Sequence, residues 1–175
     1  EATFQVLDDV TDGALDSAIY GLNEINNNYP VLINDCDHAF EGNDLSSKLE
    51  LLRNDKNLNG YLCHFKSSSA AYSYAEYDET GKLIKTAEKK VISNLAIAGA
   101  YIFENKNIIV DYFEEYKNNC VYSETYISGL YNLMLDAGKV VNGIVLDSHL
   151  SFGTPEELEK AIFSKQYIEW LSEKA

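Results

Sequence analysis

The chain has 175 residues, 46% of them hydrophobic, which suits one globular domain with its own core. Its 28 acidic residues outnumber 14 lysines and arginines, and the formal net charge of -14 disfavours nucleic acid and anionic membranes as partners. No apolar run reaches the roughly 18 residues that a membrane span needs, and the three widely spaced cysteines show no disulfide or zinc pattern. We therefore expect a cytoplasmic protein with no nucleic-acid or membrane partner.

Strand patterns alternate with helix patterns along the chain. In chain order the predicted elements are a strand at 3–7, a helix that residues 11–13 cap and that extends to about residue 25, a strand at 30–33, a helix at 44–53, strands at 61–66, 72–77, 83–87 and 95–103, helices at 108–116 and 127–137, and a strand at 140–146. A final helix begins at Thr154-Pro155-Glu156-Glu157, a capping box with proline at the first helical position. Because the first residues are already strand-like, we expect the chain to begin in the middle of a domain.

This alternation predicts an α/β fold. The expected architecture is a Rossmann-like, mixed and mostly parallel sheet with helices on both faces. One β-hairpin is inserted, formed by the strands at 72–77 and 83–87 around the turn Asp78-Glu79-Thr80-Gly81. The run at 30–33 is apolar throughout, as expected of a strand that is buried on both faces.

Two aspartates, Asp35 and Asp37, come just after the C-terminal end of the strand at 30–33. Ligands of open α/β sheets bind in the crevice at this end of the strands, and carboxylates there are suitable ligands for Mg²⁺. Because alternate side chains of an extended chain point in opposite directions, we expect only one of the two to face the crevice. The alternative interpretation is a turn that merely favours aspartate.

Other polar residues are less informative by residue type alone. Glu88-Lys89-Lys90 has the composition of a solvated charge run, and Glu124 that of a favourable charge at a helix N-terminus. His38, His64 and His149 show no metal-ligand spacing. The 13 tyrosines are interpreted mainly as packing residues.

Several segments, in a consistent order, resemble the sugar nucleotidyltransferase family. They are Gly13-Ala14, residues 31–38, Tyr72-Ser73-Tyr74, residues 86–96, 98–103 and 124–128, and Ser151-Phe152-Gly153-Thr154-Pro155-Glu156-Glu157-Leu158. The similarity extends from Ala2 to about Ala161 and is greatest to members associated with bacterial capsule and surface-polysaccharide synthesis. It implies that residues 1–175 are the C-terminal two-thirds or so of a single nucleotidyltransferase domain.

The resemblance implies a reaction and its participants. A nucleoside monophosphate would pass from a nucleoside triphosphate to a sugar 1-phosphate or a similar phosphorylated alcohol, with release of pyrophosphate, to supply surface-polysaccharide precursors. Asp37 would bind Mg²⁺, and Gly13 and Ala14 would lie beside the nucleotide. Lys89 would lie near phosphate and, with Asp37, would be catalytic. The acceptor side would be formed by Glu88, Lys89, Gly99 and Glu124.

The sequence departs from the family pattern in two places. It contains no glycine-rich loop with an arginine and a following lysine, the segment that holds the triphosphate. The 175 residues alone are therefore expected to have little activity, and an N-terminal segment or a second chain is expected to complete the sheet. The second Mg²⁺ ligand of many members is an aspartate where this chain has Ser151, and Asp147 is the predicted substitute.

Two other functions stay open. Asp35-Cys36-Asp37 also fits the Asp-x-Asp metal motif of glycosyltransferases with the related GT-A fold, which release a free nucleoside diphosphate instead of pyrophosphate. The absent triphosphate loop also fits a non-enzymatic binding domain or an incomplete fragment.

Overall fold

The computed structural model describes residues 2–173, which form alternating helices and strands. In chain order these are α1 (Ala14–Asn23), β1 (Val31–Asn34), β2 (His38–Glu41), α2 (Leu45–Asn54), β3 (Gly60–Lys66), β4 (Tyr74–Tyr77), β5 (Leu83–Ala87), β6 (Leu95–Phe103), α3 (Lys106–Asn119), α4 (Ile127–Asp136), β7 (Val141–Val145), β8 (Ser148–Ser151), α5 (Pro155–Ile162) and α6 (Lys165–Glu173). Within these residues, no helix is both long and apolar enough to cross a membrane.

Six strands form the main sheet, in the order β5-β4-β6-β3-β7, with β1 also paired to β6. The α/β class, the mixed sheet and the inserted β4–β5 hairpin are confirmed. The expected majority of parallel pairs is wrong, because β3–β7 is the only parallel pair in the described part of the chain. β6 runs antiparallel to each of its three neighbours, β1, β3 and β4. The β4–β5 pair is also antiparallel, because a tight turn can join only antiparallel neighbours.

Alternate side chains of β6 enter two separate cores. Ile97, Tyr101 and Phe103 pack on one face with apolar residues of α1, α3 and α4. Ala98, Ala100 and Ile102 pack on the other face, which α2 covers. Helices therefore lie on both faces of the sheet, as predicted.

Two predictions for the first strands are wrong. Residues 3–7 form no strand, and Phe4 and Val6 are 88% and 82% exposed, since neither pairs with another strand in the described region. β1 is buried on one face only: Val31 is 7% exposed, but Leu32 on the opposite face is 41% exposed. An apolar run therefore does not by itself show that both faces of a strand are covered.

A short antiparallel ribbon, β2–β8, lies outside the main sheet and was not predicted. Its two strands, His-Ala-Phe-Glu and Ser-His-Leu-Ser, contain no β-branched residue and so have a weak strand signal. The ribbon pairs His38 with Ser151, and the Phe152 N–H donates to the Asp37 carbonyl at 2.8 Å. It thereby brings Asp37 next to the predicted capping box of α5, which is confirmed.

Candidate active site

A cavity of about 420 Å³ opens where β1 ends beside the middle of β6. Asp35 and Asp37 follow β1 on one side of it, and Gly99 lies on β6. Glu88, which follows β5, and Ala14, which begins α1, contribute to the walls. Residues from four separate segments of the chain therefore converge here, as a binding site requires.

Gly99 makes room for the Asp35 carboxylate. Its φ of +65° lies in the left-handed region, which residues with a side chain rarely adopt. A Cβ at this position would lie 2.8 Å from Asp35 Oδ2 and 2.9 Å from His38 Cδ2. Both the backbone conformation and the adjacent side chains therefore favour glycine here.

Asp35 and Asp37 both line the cavity, so the expectation that only one would face it is wrong. β1 ends at Asn34 and the chain turns at residues 36–37, so the alternation of a strand does not extend to Asp37. The pKa of Asp35 is raised to about 6, first by burial and then by the charges of Asp37 and Glu88. Between the aspartates, Cys36 is exposed, free and also part of the lining.

Two serine hydroxyls hold the Glu88 carboxylate. Ser73 Oγ, just before β4, and Ser128 Oγ, in the first turn of α4, both donate to Oε2, the second at 2.9 Å. No side chain or backbone group in the described residues donates to Oε1, which leaves that oxygen to a ligand. Both serines stand in segments that carry the family resemblance, although the sequence alone assigns them no role.

A second carboxylate, which the sequence does not predict, lies beside Asp37. A Cβ on Gly153 would be 2.8 Å from Asp37 Oδ2 and 3.4 Å from Glu157 Oε2, so both oxygens approach the same point. Glu157 is held there by three donors, the hydroxyls of Tyr72 and Ser151 and the N–H of Thr154. The capping box of α5 therefore also orients a carboxylate next to Asp37.

Asp147, the predicted second Mg²⁺ ligand, does not lie beside Asp37. It lies between β7 and β8, where its Oδ2 accepts the Asn43 N–H at 2.8 Å, and it does not line the cavity. Its own N–H donates to the carbonyl of Glu41, at the opposite end of β2 from Asp37. The β2–β8 ribbon thus brings Ser151, not Asp147, next to Asp37.

Lys89 lies at the rim of the cavity instead of in its lining. Its φ of 49° is in the left-handed region, which turns the chain sharply after Glu88. The Lys89 Nζ donates to the Tyr126 hydroxyl at 3.3 Å and lies 5.3 Å from the centre of that ring. Tyr126 itself lines the cavity, so the Lys89 ammonium group lies beside a lining residue.

Glu124 and Gly13 lie behind the cavity wall. Glu124 lines a neighbouring depression, not the cavity itself. Gly13, with a φ of +149°, caps α1, and a Cβ there would be 2.5 Å from the Thr125 N and 2.8 Å from its Oγ1. Backbone hydrogen bonds hold the start of α1 against the chain before α4: the Leu15 N–H donates to the Thr125 carbonyl and the Thr125 N–H to the Asp12 carbonyl, both at 2.9 Å. The next residue after Gly13, Ala14, lines the cavity.

A histidine pair joins the two strands of the β2–β8 ribbon. His38 Nδ1 and His149 Nε2 are 2.7 Å apart, a hydrogen bond in which one ring donates and the other accepts. The His149 ring stacks on Phe65, with 3.8 Å between their centres. Burial lowers the pKa of both histidines, that of His149 to about 4 with a further contribution from His38, so the pair is neutral near pH 7.

The donor set of the cavity fits a hard cation. Asp35, Asp37 and Glu88 supply carboxylate oxygens, the ligands that Mg²⁺ prefers, and the lining contains no lysine or arginine. No three His, Cys, Asp or Glu side chains between residues 2 and 173 stand at mutual metal-binding positions. Mg²⁺ commonly takes one or two protein carboxylates and completes its shell with water and phosphate.

No family model and no curated protein matches this sequence. Solved structures do share its fold, and three of them are described here. A nucleoside-diphosphate-sugar pyrophosphorylase from Vibrio cholerae RC9 is 24% identical, with a TM-score of 0.74 over 88% of this chain and 66% of its own. A candidate glucose-1-phosphate thymidylyltransferase from Bacillus anthracis, solved with sucrose, is 20% identical, with a TM-score of 0.70 over 95% and 68%.

The third structure, the inositol-1-phosphate CTP transferase from T. maritima, is 14% identical, with a TM-score of 0.66 over 91% of this chain and 61% of its own. The chain thus spans 61% to 68% of the length of these proteins. At these identities the likeness establishes a common fold, one found in proteins that activate phosphorylated sugars and inositol.

Proposed function

We propose that residues 1–175 are the C-terminal two-thirds or so of a nucleotidyltransferase domain. The enzyme transfers a nucleoside monophosphate from a nucleoside triphosphate to a phosphorylated sugar or sugar-like alcohol and releases pyrophosphate. The main support is that Asp37, Glu88 and Gly99, from three distant segments, line one cavity in a fold shared with three such proteins. A role in surface-polysaccharide precursor synthesis rests on the sequence resemblance, and a cytoplasmic location rests on the cysteine pattern; both form part of the proposal.

In the proposed reaction, an oxygen of the acceptor phosphate attacks the α-phosphorus of the nucleoside triphosphate. The bond to the β-phosphate breaks, and pyrophosphate leaves with its electron pair. Glu88 Oε1 accepts a hydrogen bond from the acceptor, while Lys89 Nζ turns from Tyr126 to neutralise the acceptor phosphate. Ala14, which follows Gly13 and lines the cavity, lies beside the nucleotide at the N-terminus of α1, where backbone N–H groups favour negative charge.

Mg²⁺ would be held by Asp37, with Glu157 beside it, and would supply charge neutralisation between the phosphates. The triphosphate loop is taken to come from outside these residues, in a preceding segment or a second chain that also pairs with the open edge of β1. Leu32 and Asn34 carry the backbone groups of β1 that do not face β6.

The test is pyrophosphate release by the full-length protein across a panel of nucleoside triphosphates and phosphorylated acceptors. Asp37→Asn should lower the rate on the order of a hundredfold, since it removes the charge that binds the cation. The matched control is Asp111→Asn on the exposed face of α3, which should leave the rate unchanged. A near-normal rate for Asp37→Asn would contradict the assigned role.

A GT-A glycosyltransferase is the second candidate. The observation that favours it is that Asp35 and Asp37 both line the cavity, as an Asp-x-Asp metal site requires. The products separate the two reactions. Free nucleoside diphosphate formed from a nucleotide sugar would identify a glycosyltransferase, whereas pyrophosphate identifies the nucleotidyltransferase.

A further inference from the structure

The Glu157 carboxylate accepts more hydrogen bonds than helix capping requires. In a capping box the glutamate accepts the N–H of the N-cap residue, which here is Thr154. The same carboxylate also accepts the Tyr72 hydroxyl at Oε1 and the Ser151 hydroxyl at Oε2, the latter at 3.0 Å. Tyr72 precedes Glu157 by 85 residues, so the formation of α5 does not account for this contact. A distant segment of the chain therefore fixes the carboxylate as well.

These donors hold Glu157 next to Asp37. The space between α5 and Asp37 depends on Gly153, where a Cβ would be 2.8 Å from Asp37 Oδ2 and 3.4 Å from Glu157 Oε2. The φ of Gly153 is not in the left-handed region, so the adjacent carboxylates and not the backbone favour glycine here. Glu157 does not line the cavity itself, and what it adds to the site is a negative charge beside Asp37. Carboxylate charge at a site increases its affinity for a divalent cation.

A stack of rings on the main sheet supports the Tyr72 side chain. The Tyr72 ring packs edge-on against Phe65 of β3, with 5.0 Å between the ring centres. Phe65 stacks in turn on His149 of β8. The His149 ring is hydrogen-bonded to His38, the residue that follows Asp37. The same rings therefore contact Tyr72 on one side and, on the other, the ribbon that begins beside Asp37, so the donor of Glu157 and the segment of Asp37 share one rigid support.

We infer that Tyr72 is a positioning residue for the cation at Asp37: its hydroxyl holds the Glu157 carboxylate beside Asp37, where the second charge strengthens cation binding. The inference rests on the proposed function and adds to it a residue that acts on the cation only through another side chain. Hydrogen-bond partners of this kind orient the groups around a metal, and removing one commonly lowers metal affinity by about 10- to 100-fold.

Binding of Mn²⁺ to the full-length protein, measured by electron paramagnetic resonance, tests the role of this hydroxyl, since Mn²⁺ favours the same oxygen ligands as Mg²⁺. Tyr72→Phe removes the donor and keeps the ring against Phe65, so the Mn²⁺ dissociation constant should rise roughly tenfold. Glu157→Gln removes the charge itself and should raise it at least as much. Tyr20→Phe, at an exposed position on α1, is the matched control and should change nothing. Unchanged Mn²⁺ affinity in Tyr72→Phe, or no Mn²⁺ binding by the wild type, would overturn the inference.

The double variant shows whether Tyr72 acts through Glu157. In the Glu157→Gln background, Tyr72→Phe should weaken Mn²⁺ binding by less than about twofold, because the charge that the hydroxyl positions is already gone. Effects of the two substitutions that simply multiply would contradict the inference, since Tyr72 would then influence the cation by a route that does not include Glu157.

The acceptor KM separates positioning from a general disturbance of the segment. Ser73, the next residue, donates to Glu88, so a displaced segment would raise the acceptor KM even at saturating Mn²⁺. Under these conditions Tyr72→Phe should leave the KM within about twofold of the wild-type value, and a larger rise would reject the positioning role. Pyrophosphate release without any effect of Tyr72→Phe on Mn²⁺ affinity rejects the inference alone. No pyrophosphate release with any triphosphate and acceptor rejects the proposed function and the inference with it.

Discussion

Gly99 is the residue that determines where Asp35 lies. Gly99→Ala should destabilise the protein by roughly 2–4 kcal/mol, because it adds a left-handed alanine and a contact with a carboxylate that has little room to move. Urea denaturation measures this. Gly81→Ala is the matched control, since Gly81 has a φ of +83° but no atom within 4 Å of its added Cβ. Equal losses for the two variants would mean that the contact with Asp35 has no cost.

The serines that hold Glu88 act through another residue and not on the substrate itself. Ser128→Ala should raise the acceptor KM roughly tenfold, because a hydrogen bond to a charged group contributes about 1.5–3 kcal/mol, and should change kcat less. Steady-state kinetics on the full-length enzyme separates the two parameters. Ser128→Thr should recover much of the loss, while the exposed Ser68→Ala should have no effect. An unchanged KM would show that Glu88 keeps its position without Ser128.

Among the elements, α5 has two tasks. Its capping box stabilises the helix, and its Glu157 lies beside Asp37. Thr154→Ala should cost about 1 kcal/mol of stability, the usual value of an N-cap, and should also weaken binding of Mn²⁺ as measured by electron paramagnetic resonance. The control is Asn105→Ala, which removes the side-chain cap of α3 far from Asp37. If both variants bind Mn²⁺ equally well, the capping box stabilises α5 but does not orient Glu157 for metal binding.

The elements that the sequence predicts well are those with a local cause. The capping box at Thr154 and the apolar run of β6 are such features, and both are confirmed. Strand direction has no local signature, so the antiparallel pairing of β6 with β1, β3 and β4 could not be derived from alternation. The short β2–β8 ribbon is stabilised by contacts far apart in sequence, such as His38 with His149, and for this reason it was not predicted.

Within the site, too, some residues can be identified from the local sequence and others only from tertiary contacts. Glu88 and Gly99 belong to segments that resemble a family, and they do line the cavity, but the roles assigned to them stay predictions. Tyr101, Ser73 and Ser128 belong to those segments too, yet each acquires its place only when β4, β6 and α4 come together. Residue type and order identify the cavity, whereas tertiary contacts decide which oxygen of which side chain is available.

At the scale of the whole molecule, acid should unfold the protein partly through His64. This buried histidine contacts the Tyr77 hydroxyl and the Ala96 carbonyl, and burial lowers its pKa from 6.5 to about 4. The folded state therefore binds its proton less readily than the unfolded state. The associated stability is complete above pH 6.5 and declines as the pH falls towards 4, by about 3 kcal/mol in total.

Chemical denaturation as a function of pH measures this decline. In His64→Gln the slope between pH 6.5 and 4 should become shallower by about 1.4 kcal/mol per pH unit, the value for one proton. Because this variant also loses packing, an NMR titration of the wild-type His64 ring is the second measurement. A ring that titrates near pH 6.5 would contradict the prediction.

Cys36 is a site in the cavity lining where a covalent label can be attached. The thiol is exposed between Asp35 and Asp37, whereas Cys63 is buried, with its pKa raised to about 12, and Cys120 is partly covered. A thiol-reactive fluorophore should therefore attach first at Cys36, since modification requires an accessible thiolate. The emission of the attached fluorophore should change whenever a ligand binds beside the carboxylates of the cavity or dissociates from them. Binding could then be followed in real time and separately from the chemical reaction.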